Sequence, residues 1–351
     1  MPRTIRPLLL AALLALAAVT LLVACKDDNY GGSAPAADGS PEAPPDKVTF
    51  MAGFKPQANL PFVGAYVAQE KGFFAEENLE VEIQHVNTPG DNFRFVSLGE
   101  VQFSTGDAAT IIERAGDDPP LGIVAIALVG QTGQQGFAVL ADSGIETVAD
   151  WSGKRAGYKG SQPTPDFLAL LNANGLQPDD VGTVKVGFAP QVLTEGEVDI
   201  FPLFLSNEPY TLGQLGYELN LFEAADDGAP TIGLTYVTSQ DYIDESPDVV
   251  LRFLRAALRG IRYAQDNEEE ALDIVMQYAP QEDREHMRFM MATELEAARS
   301  DLTDEHGIGW MTDEQWQALH DFLVEYEGIP APLDDVSIAY DDSFIQQVYE
   351  E

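Results

Sequence analysis

Residues 59–79 of the chain read NLPFVGAYVAQEKGFFAEENL, and the segment VEI follows at residues 81–83. The apolar residues between Val63 and Glu77 recur at helical spacing, whereas residues 81–86 alternate as a half-buried strand does. Upstream, residues 48–52 (VTFMA) have the composition of another strand. The stretch therefore predicts a strand–helix–strand unit, which is the building block of an α/β fold.

The same alternation continues downstream of this unit. Residues 92–99 and 108–115 are predicted helices, residues 101–104 are a predicted strand, and the apolar run at 121–129 suits a buried strand. A second α/β unit is predicted to begin near Gly144, after which the chain returns to the first unit and becomes mostly helical. This order predicts two lobes joined by two crossovers, with mainly parallel sheets.

The first 25 residues have the pattern of a secretory leader. Arg3 and Arg6 precede an uncharged run from Leu8 to Val23, which is short for a membrane span and suits a signal-peptide core. The run ends in LVAC, and small residues before a cysteine resemble a bacterial lipobox. This resemblance implies a signal peptide at residues 1–24 and an acylated, palmitate-bearing N-terminus at Cys25. An ordinary leader or an uncleaved anchor helix is the alternative.

Residues 25–46 are predicted to form the lipid anchor and a flexible tether. Thirteen of the 21 residues at 26–46 are Gly, Ser, Ala or Pro, and such a composition buries too little apolar surface to offset its ordering entropy. The body is therefore expected on the extracytoplasmic face of the cell membrane.

Composition excludes several classes of protein. The 351 residues suit about two domains, and the single cysteine excludes a disulfide framework and a thiolate metal site. The formal charge of −39, from 58 acidic and 19 basic residues, makes nucleic acid an improbable partner. The four histidines show no metal-ligand spacing, and neither a metal nor a cofactor is expected.

Four segments together carry a family resemblance. They are residues 59–83, 91–107, 148–157 (VADWSGKRAG) and 198–210 (VDIFPLFLSNEPY). In this order they resemble solute-binding proteins of ABC importers, and more narrowly the family that binds thiamine-pyrimidine precursors, riboflavin and alkyl sulfonates. The resemblance implies a two-lobed periplasmic-binding-protein fold, type II-like, with a ligand cleft between the lobes. It also implies an ABC permease and its ATPase as partners of a monomeric receptor.

The domain boundaries follow from the two predicted crossovers. Residues 47–142 and 238–351 are predicted to form lobe 1, and residues 143–237 to form lobe 2. Ligands of open α/β sheets bind at the carboxyl ends of strands, so the loops after the strands should line the cleft.

These loops favour a neutral, planar, polar heterocycle. Lys55 and Lys159 are their only cations, whereas a sulfonate or phosphate would want several donors. Aromatic rings supply stacking faces, and amides match the edge of a heterocycle. The candidate ligand-binding residues are Phe54, Asn59, Phe62, Asn92, Asp107, Gln134, Tyr158, Phe204, Asn207 and Glu208.

Several of these residues have a structural interpretation as well. Phe54 and Phe62 could belong to the core, Gln134 could lie in a solvated loop, Asp107 could cap the helix that follows it, and Asn207 could simply begin a helix.

Riboflavin is the preferred ligand, because a flavin combines a wide stacking plane, a uracil-like edge and ribityl hydroxyl groups. The alternative is a thiamine pyrimidine precursor, hydroxymethylpyrimidine or formylaminopyrimidine, whose amino group would donate a hydrogen bond to Glu208. An alkyl sulfonate receptor is less favoured. A pyrimidine-synthesising enzyme is also less favoured, because the resemblance implies a histidine and a cysteine-rich motif for that chemistry, and the only cysteine is Cys25.

Overall fold

Three β-sheets organise the part of the chain that the computed structural model describes, residues 43–88, 90–227 and 229–350. The strands are β1 (Asp46–Ala52), β2 (Leu79–His85), β3 (Phe103–Asp107), β4 (Ile123–Leu128), β5 (Gln135–Leu140), β6 (Arg155–Tyr158), β7 (Gly182–Lys185), β8 (Phe201–Phe204), β9 (Leu219–Phe222) and β10 (Leu234–Ser239). The predicted signal peptide, the lipidation site Cys25 and tether residues 26–42 lie outside the described residues.

Fourteen helices surround the sheets within the described ranges. They are α1 (Leu60–Glu70), α2 (Phe73–Glu76), α3 (Asp91–Ser97), α4 (Ala108–Ala115), α5 (Pro165–Ala173), α6 (Gln191–Thr194), α7 (Glu208–Gln214), α8 (Gln240–Glu245), α9 (Pro247–Asp266), α10 (Glu268–Tyr278), α11 (Arg284–Ala297), α12 (Asp301–His306), α13 (Asp313–Glu325) and α14 (Ser343–Glu350). None of these described helices combines the length and the apolar composition that a bilayer crossing requires.

The largest sheet has five strands in the order β2-β1-β3-β10-β4. Strand β1 pairs in parallel with β2 and β3, and β10 runs antiparallel to both β3 and β4. Fully buried aromatic rings fix α9 against this sheet: the Phe103 and Phe253 rings stack at 3.8 Å between centroids, and Tyr236 meets Phe253 edge-on. We refer to this sheet and its helices as lobe 1.

Helix α1 lies unusually close to α9, and two glycines make that approach possible. A Cβ atom added to Gly64 would lie 2.8 Å from the Ala257 carbonyl oxygen, and one added to Gly260 would overlap the Gly64 carbonyl. The two backbones are therefore in direct contact, and the strand–helix–strand unit predicted from residues 48–83 is held in place by this contact.

Two smaller sheets form the second region, which we call lobe 2. Strand β5 pairs antiparallel with β8 and β9, and β6 pairs in parallel with β7. An isolated parallel bridge between Ala156 and Ile200 joins β6 to the segment that leads into β8. Buried Trp151 packs against Phe137 and Phe167 and forms the centre of this lobe's core.

The expectation of mainly parallel sheets is wrong. Four of the seven strand pairings in the described residues are antiparallel, and β5, the middle strand of its sheet, was not identified from the sequence. The physical reason is that β5 and β10 lie directly beyond the crossovers. Each of these strands runs opposite to its neighbours in the sheet. Hydrophobic periodicity does not depend on strand direction, so the sequence pattern could not reveal it.

The crossovers themselves lie side by side. The Gly233 amide donates to the Gly130 carbonyl at 2.8 Å, and the Gly130 amide donates to Leu234 at 2.9 Å. Because β5 pairs in lobe 2 and β10 pairs in lobe 1, we propose that the crossovers lie at residues 129–134 and 230–233. These positions precede the boundaries expected after residues 142 and 237.

Candidate functional site

The carboxyl ends of four strands place several predicted residues on the cleft edge of each lobe. In lobe 1, β1 is followed by the loop that contains Phe54 and Asn59, and β3 ends at Asp107. In lobe 2, β6 ends at Tyr158 and β8 ends at Phe204. These are the positions at which open α/β sheets bind ligands.

Two predicted aromatic residues meet at a cavity in lobe 2. Tyr158 and Phe204 line a space of about 60 Å³ together with Phe137, Phe167 and Lys159. The Phe204 side chain is 40% exposed. Because pockets for small organic ligands usually measure about 300 Å³ or more, a ligand seated here would extend out of the cavity toward the cleft.

A buried ion pair lies beside this cavity. The Lys159 ammonium donates to Glu208 Oε1 at 2.7 Å, and the Phe204 amide donates to Glu208 Oε2 at 2.8 Å. Glu208 is 5% exposed, and the ammonium also lies 4.9 Å from the centre of the Phe201 ring. Both oxygens of Glu208 thus have a partner inside lobe 2. The other lysine of the predicted cleft loops, Lys55, is paired with Glu282 at 2.6 Å.

Asp107 begins helix α4 and also places a carboxylate at the end of β3. Its Oδ1 accepts from the Ala109 amide at 3.1 Å, which confirms the helix-capping interpretation. Burial raises the pKa of Asp107 to about 7, and the negative charge of Asp166 contributes to that rise. Burial likewise raises the pKa of Asp166, in the first turn of α5, to about 6. Two carboxyl groups, one from each lobe, therefore share a poorly solvated region.

A third carboxylate joins the lobes and was missed from the sequence. Glu294 on α11 is buried, and it accepts from Asn59 Nδ2 at 2.8 Å, from the Leu60 amide at 3.4 Å and from Ser206 Oγ at 3.1 Å. Asn59 also accepts a hydrogen bond from Gln57. Desolvation raises the pKa of Glu294, and its three donors oppose that rise.

A signal for Glu294 exists in the sequence. Residues 287, 290, 291 and 295 are apolar and buried, so residue 294 occupies the same helical face as an apolar stripe. A glutamate on such a stripe must find donors inside the protein, because an unpaired buried carboxylate is very costly.

Other predicted residues lie apart from this cluster. Asn92 is buried and donates to Ser104 Oγ and to the Thr105 carbonyl, each at 2.9 Å, so its amide nitrogen is occupied within lobe 1. Phe62 is buried in the core and meets the His85 ring edge-on at 5.8 Å. Phe54 is instead 44% exposed, and its carbonyl accepts from His85 Nδ1 at 2.7 Å.

The last two predicted residues lie near the contact between the lobes. Gln134 has a buried amide oxygen with no hydrogen-bond partner among the described residues. Asn207 directly precedes α7 without capping it through its side chain, so it does begin a helix. Tyr210 of α7 stacks on His286 of α11 at 4.7 Å and donates to Asp283 at 2.9 Å. These contacts hold α7 of lobe 2 against α11 of lobe 1.

Comparison with known proteins gives consistent findings. A family model described as "NMT1/THI5 like" matches residues 59–271, which is more than half of the chain. The riboflavin-binding protein RibY of Chloroflexus aurantiacus is 26% identical over 93% of this chain and 95% of its own length. The formylaminopyrimidine-binding protein of Halalkalibacterium halodurans is 26% identical over 79% of this chain and 86% of its own. A 4-amino-5-hydroxymethyl-2-methylpyrimidine phosphate synthase of Legionella pneumophila also matches, over 61% of this chain and 69% of its own.

Among solved structures, the fold resembles that of the periplasmic aliphatic sulphonate binding protein SsuA of Escherichia coli. The TM-score is 0.66 at 15% identity, over 85% of this chain and 93% of that chain. The α/β periplasmic-binding-protein fold expected from the sequence is thereby confirmed.

Proposed function

The chain belongs to the NMT1/THI5-like family of solute-binding proteins, and from this premise we propose that it captures a neutral, planar heterocyclic vitamin and delivers it to an ABC permease. Riboflavin is the ligand that we favour. The proposal concerns a binding protein, as the riboflavin and formylaminopyrimidine relatives are by name.

The observation that carries the proposal is the neutralisation of the cleft lysines. Lys159 is ion-paired with Glu208, and Lys55 is ion-paired with Glu282. In the described cleft loops these are the only cations, so an anionic ligand such as a sulfonate would find no unpaired positive charge. It would also meet the carboxyl groups of Asp107 and Asp166 and the net charge of −39.

Three features of the site match the three parts of a flavin. The rings of Tyr158 and Phe204 offer stacking faces for the tricyclic plane. The amide oxygen of Gln134 is buried and unpaired among the described residues, and once exposed to the cleft it would accept from the N–H of a uracil-like edge. The carboxyl groups of Asp107 and Asp166 can accept from ribityl hydroxyl groups.

A thiamine pyrimidine precursor is the alternative ligand. The formylaminopyrimidine-binding relative is 26% identical to this chain, as is the riboflavin-binding one. An aminopyrimidine would donate a hydrogen bond from its exocyclic amine to a carboxylate. Glu208 suits that role less well than expected, because the Lys159 ammonium and the Phe204 amide already occupy its oxygens. Asp107 and Asp166 are the better acceptors.

An enzymatic role receives less support. The resemblance implies that pyrimidine synthesis uses a cysteine-rich motif, and the only cysteine of the chain is residue 25. His85 is held between the Phe54 carbonyl and the Tyr66 hydroxyl at 2.7 and 2.9 Å, and burial lowers its pKa. It therefore has a structural role that needs no substrate.

The location and partners complete the proposal. The leader and Cys25 favour a lipid-anchored receptor on the extracytoplasmic face of the cell membrane, working as a monomer with an ABC permease and its ATPase. Mass spectrometry of the mature N-terminus, with and without Cys25→Ala, tests the anchor.

Ligand titration tests the function. We expect the purified protein to quench riboflavin fluorescence at micromolar or lower concentrations, and mass spectrometry to detect any ligand that co-purifies. Tyr158→Ala should weaken binding, whereas Tyr217→Ala, which removes an exposed ring from another part of lobe 2, should not. Unquenched flavin together with a calorimetric signal for hydroxymethylpyrimidine would reverse the order of the two ligands. Binding of ethanesulfonate but of neither heterocycle would overturn the proposal.

A further inference from the structure

Phe188 stands at the cleft edge of lobe 2, beside the cavity, and it was not among the residues predicted from the sequence. It follows the end of β7 by three residues. The Val186 amide donates to the Tyr158 carbonyl at 2.9 Å, and this bond extends the β6–β7 pairing beyond the strands themselves. The segment that carries Phe188 therefore leaves the sheet next to Tyr158 and Lys159.

The Phe188 side chain is 75% exposed, which is more than any other large apolar side chain in the described residues. It belongs to none of the hydrophobic clusters of lobe 2. Its neighbours Gly187 and Ala189 are exposed as well. An isolated exposed apolar residue needs no explanation by itself, but this ring lies next to Lys159, which lines the cavity together with aromatic residues.

The Phe188 ring contacts the Lys159 ammonium, whose position is fixed by its ion pair with Glu208. The Lys159 ammonium lies 5.4 Å from the centre of the Phe188 ring and 4.9 Å from that of Phe201, while Glu208 holds it at 2.7 Å. The ion pair thus anchors the ammonium, and the ammonium attracts one face of the ring. Because Lys159 itself lines the cavity with Tyr158 and Phe204, the Phe188 ring lies one side chain away from that cavity.

We propose that Phe188 is a ligand-stacking residue of the cleft and that it favours wide planar rings over single rings. The proposal rests on the function proposed above and deepens it. The cavity of about 60 Å³ is too small for a tricyclic ring system, so such a ligand must extend to the rim, where the Phe188 face would cover it. A single pyrimidine ring has less surface beyond the cavity and gains less from Phe188.

The test compares two ligands on matched variants of the full chain. Phe188→Ala should raise the Kd for riboflavin about fivefold or more, by fluorescence quenching, because aromatic stacking of a planar base is typically worth that factor or more. The Kd for hydroxymethylpyrimidine, by calorimetry, should change about twofold or less. Phe188→Tyr keeps a stacking face and should bind riboflavin like the unmodified chain. Leu215→Ala is the control, since Leu215 is 54% exposed and lies at the end of α7 away from β8.

Each result has a defined meaning. If Phe188→Ala binds riboflavin as tightly as the unmodified chain does, the stacking role is overturned. This holds even if the variant loses uptake through the permease. An equal loss for both ligands overturns the preference for wide rings. If the unmodified chain binds neither heterocycle, the proposed function itself fails. Circular dichroism on each variant verifies that the fold is retained.

Discussion

Replacing Asp107 with asparagine is predicted to stabilise the ligand-free protein at pH 8 and to weaken ligand binding. Asparagine caps helices about as well as aspartate, so the bond to the Ala109 amide can be kept. The substitution removes only the charge, which burial and Asp166 make unfavourable in the folded state. Stability and affinity should therefore change in opposite directions.

The size of the effect follows from the pKa of Asp107, which rises from 3.8 to about 7. Each tenfold change in proton affinity is worth about 1.4 kcal/mol, so the rise corresponds to at most about 4 kcal/mol. Between these two values the folded protein holds a proton that the unfolded chain has released. The free energy of unfolding therefore falls as the pH rises from about 4 to about 7. We expect the free energy of unfolding of Asp107→Asn to exceed that of the unmodified chain by about 2 kcal/mol or more at pH 8, and this difference to vanish near pH 4.

Urea unfolding at pH 8, 6 and 4 measures the difference in stability, and riboflavin titration at pH 8 measures affinity. Asp241→Asn is a suitable control, because Asp241 is an exposed carboxylate in the first turn of α8 and should change stability by about 0.5 kcal/mol or less. The reasoning is refuted if Asp107→Asn is no more stable at pH 8, or if its advantage does not shrink in acid. Retained ligand affinity would remove Asp107 from the binding site and leave it as a helix cap.

Two further predictions concern the contacts that hold the fold together. Glu294→Gln replaces an acceptor with a donor near the Leu60 amide, and urea unfolding should show a loss of about 1–3 kcal/mol in stability. Ser206→Ala removes one hydrogen bond between the lobes and should mainly weaken ligand binding. Equal losses of stability in the two variants would contradict this reasoning. Gly260→Ala should lower the melting temperature sharply or prevent folding, because the added Cβ atom would overlap the Gly64 carbonyl. Gly213→Ala is the control in α7: its added Cβ atom would have no neighbouring atom within 4 Å, so the change should be neutral or slightly stabilising.

Much of lobe 1 was predictable from local sequence. Hydrophobic period and helix caps are properties of neighbouring residues, so the strand at residues 48–52, most of helix α1 and the cap at Asp107 could be identified from local sequence. The helix predicted to continue to Glu77 is instead interrupted at Gly72, after which α2 begins. Two aromatic residues predicted at the ends of strands, Tyr158 and Phe204, do meet at one cavity. Residues 104–107, expected to begin a loop, belong instead to β3. The same local reasoning could not separate Phe62, which is in the core, from Phe54, which is exposed.

By itself the sequence determined the class of fold, the order of most of its elements apart from β5, the acidic character of the chain and the chemistry available in its loops. Tertiary structure decided which of these groups have partners. Lys159 pairs with Glu208, which is 49 residues away in sequence, and Glu294 bonds to Ser206, which is 88 residues away. It also decided that β5 and β10 run antiparallel and that Phe188 projects into solvent. The physical reason is that pairing and burial depend on chain segments distant in sequence, whereas periodicity and capping record only what adjacent residues require.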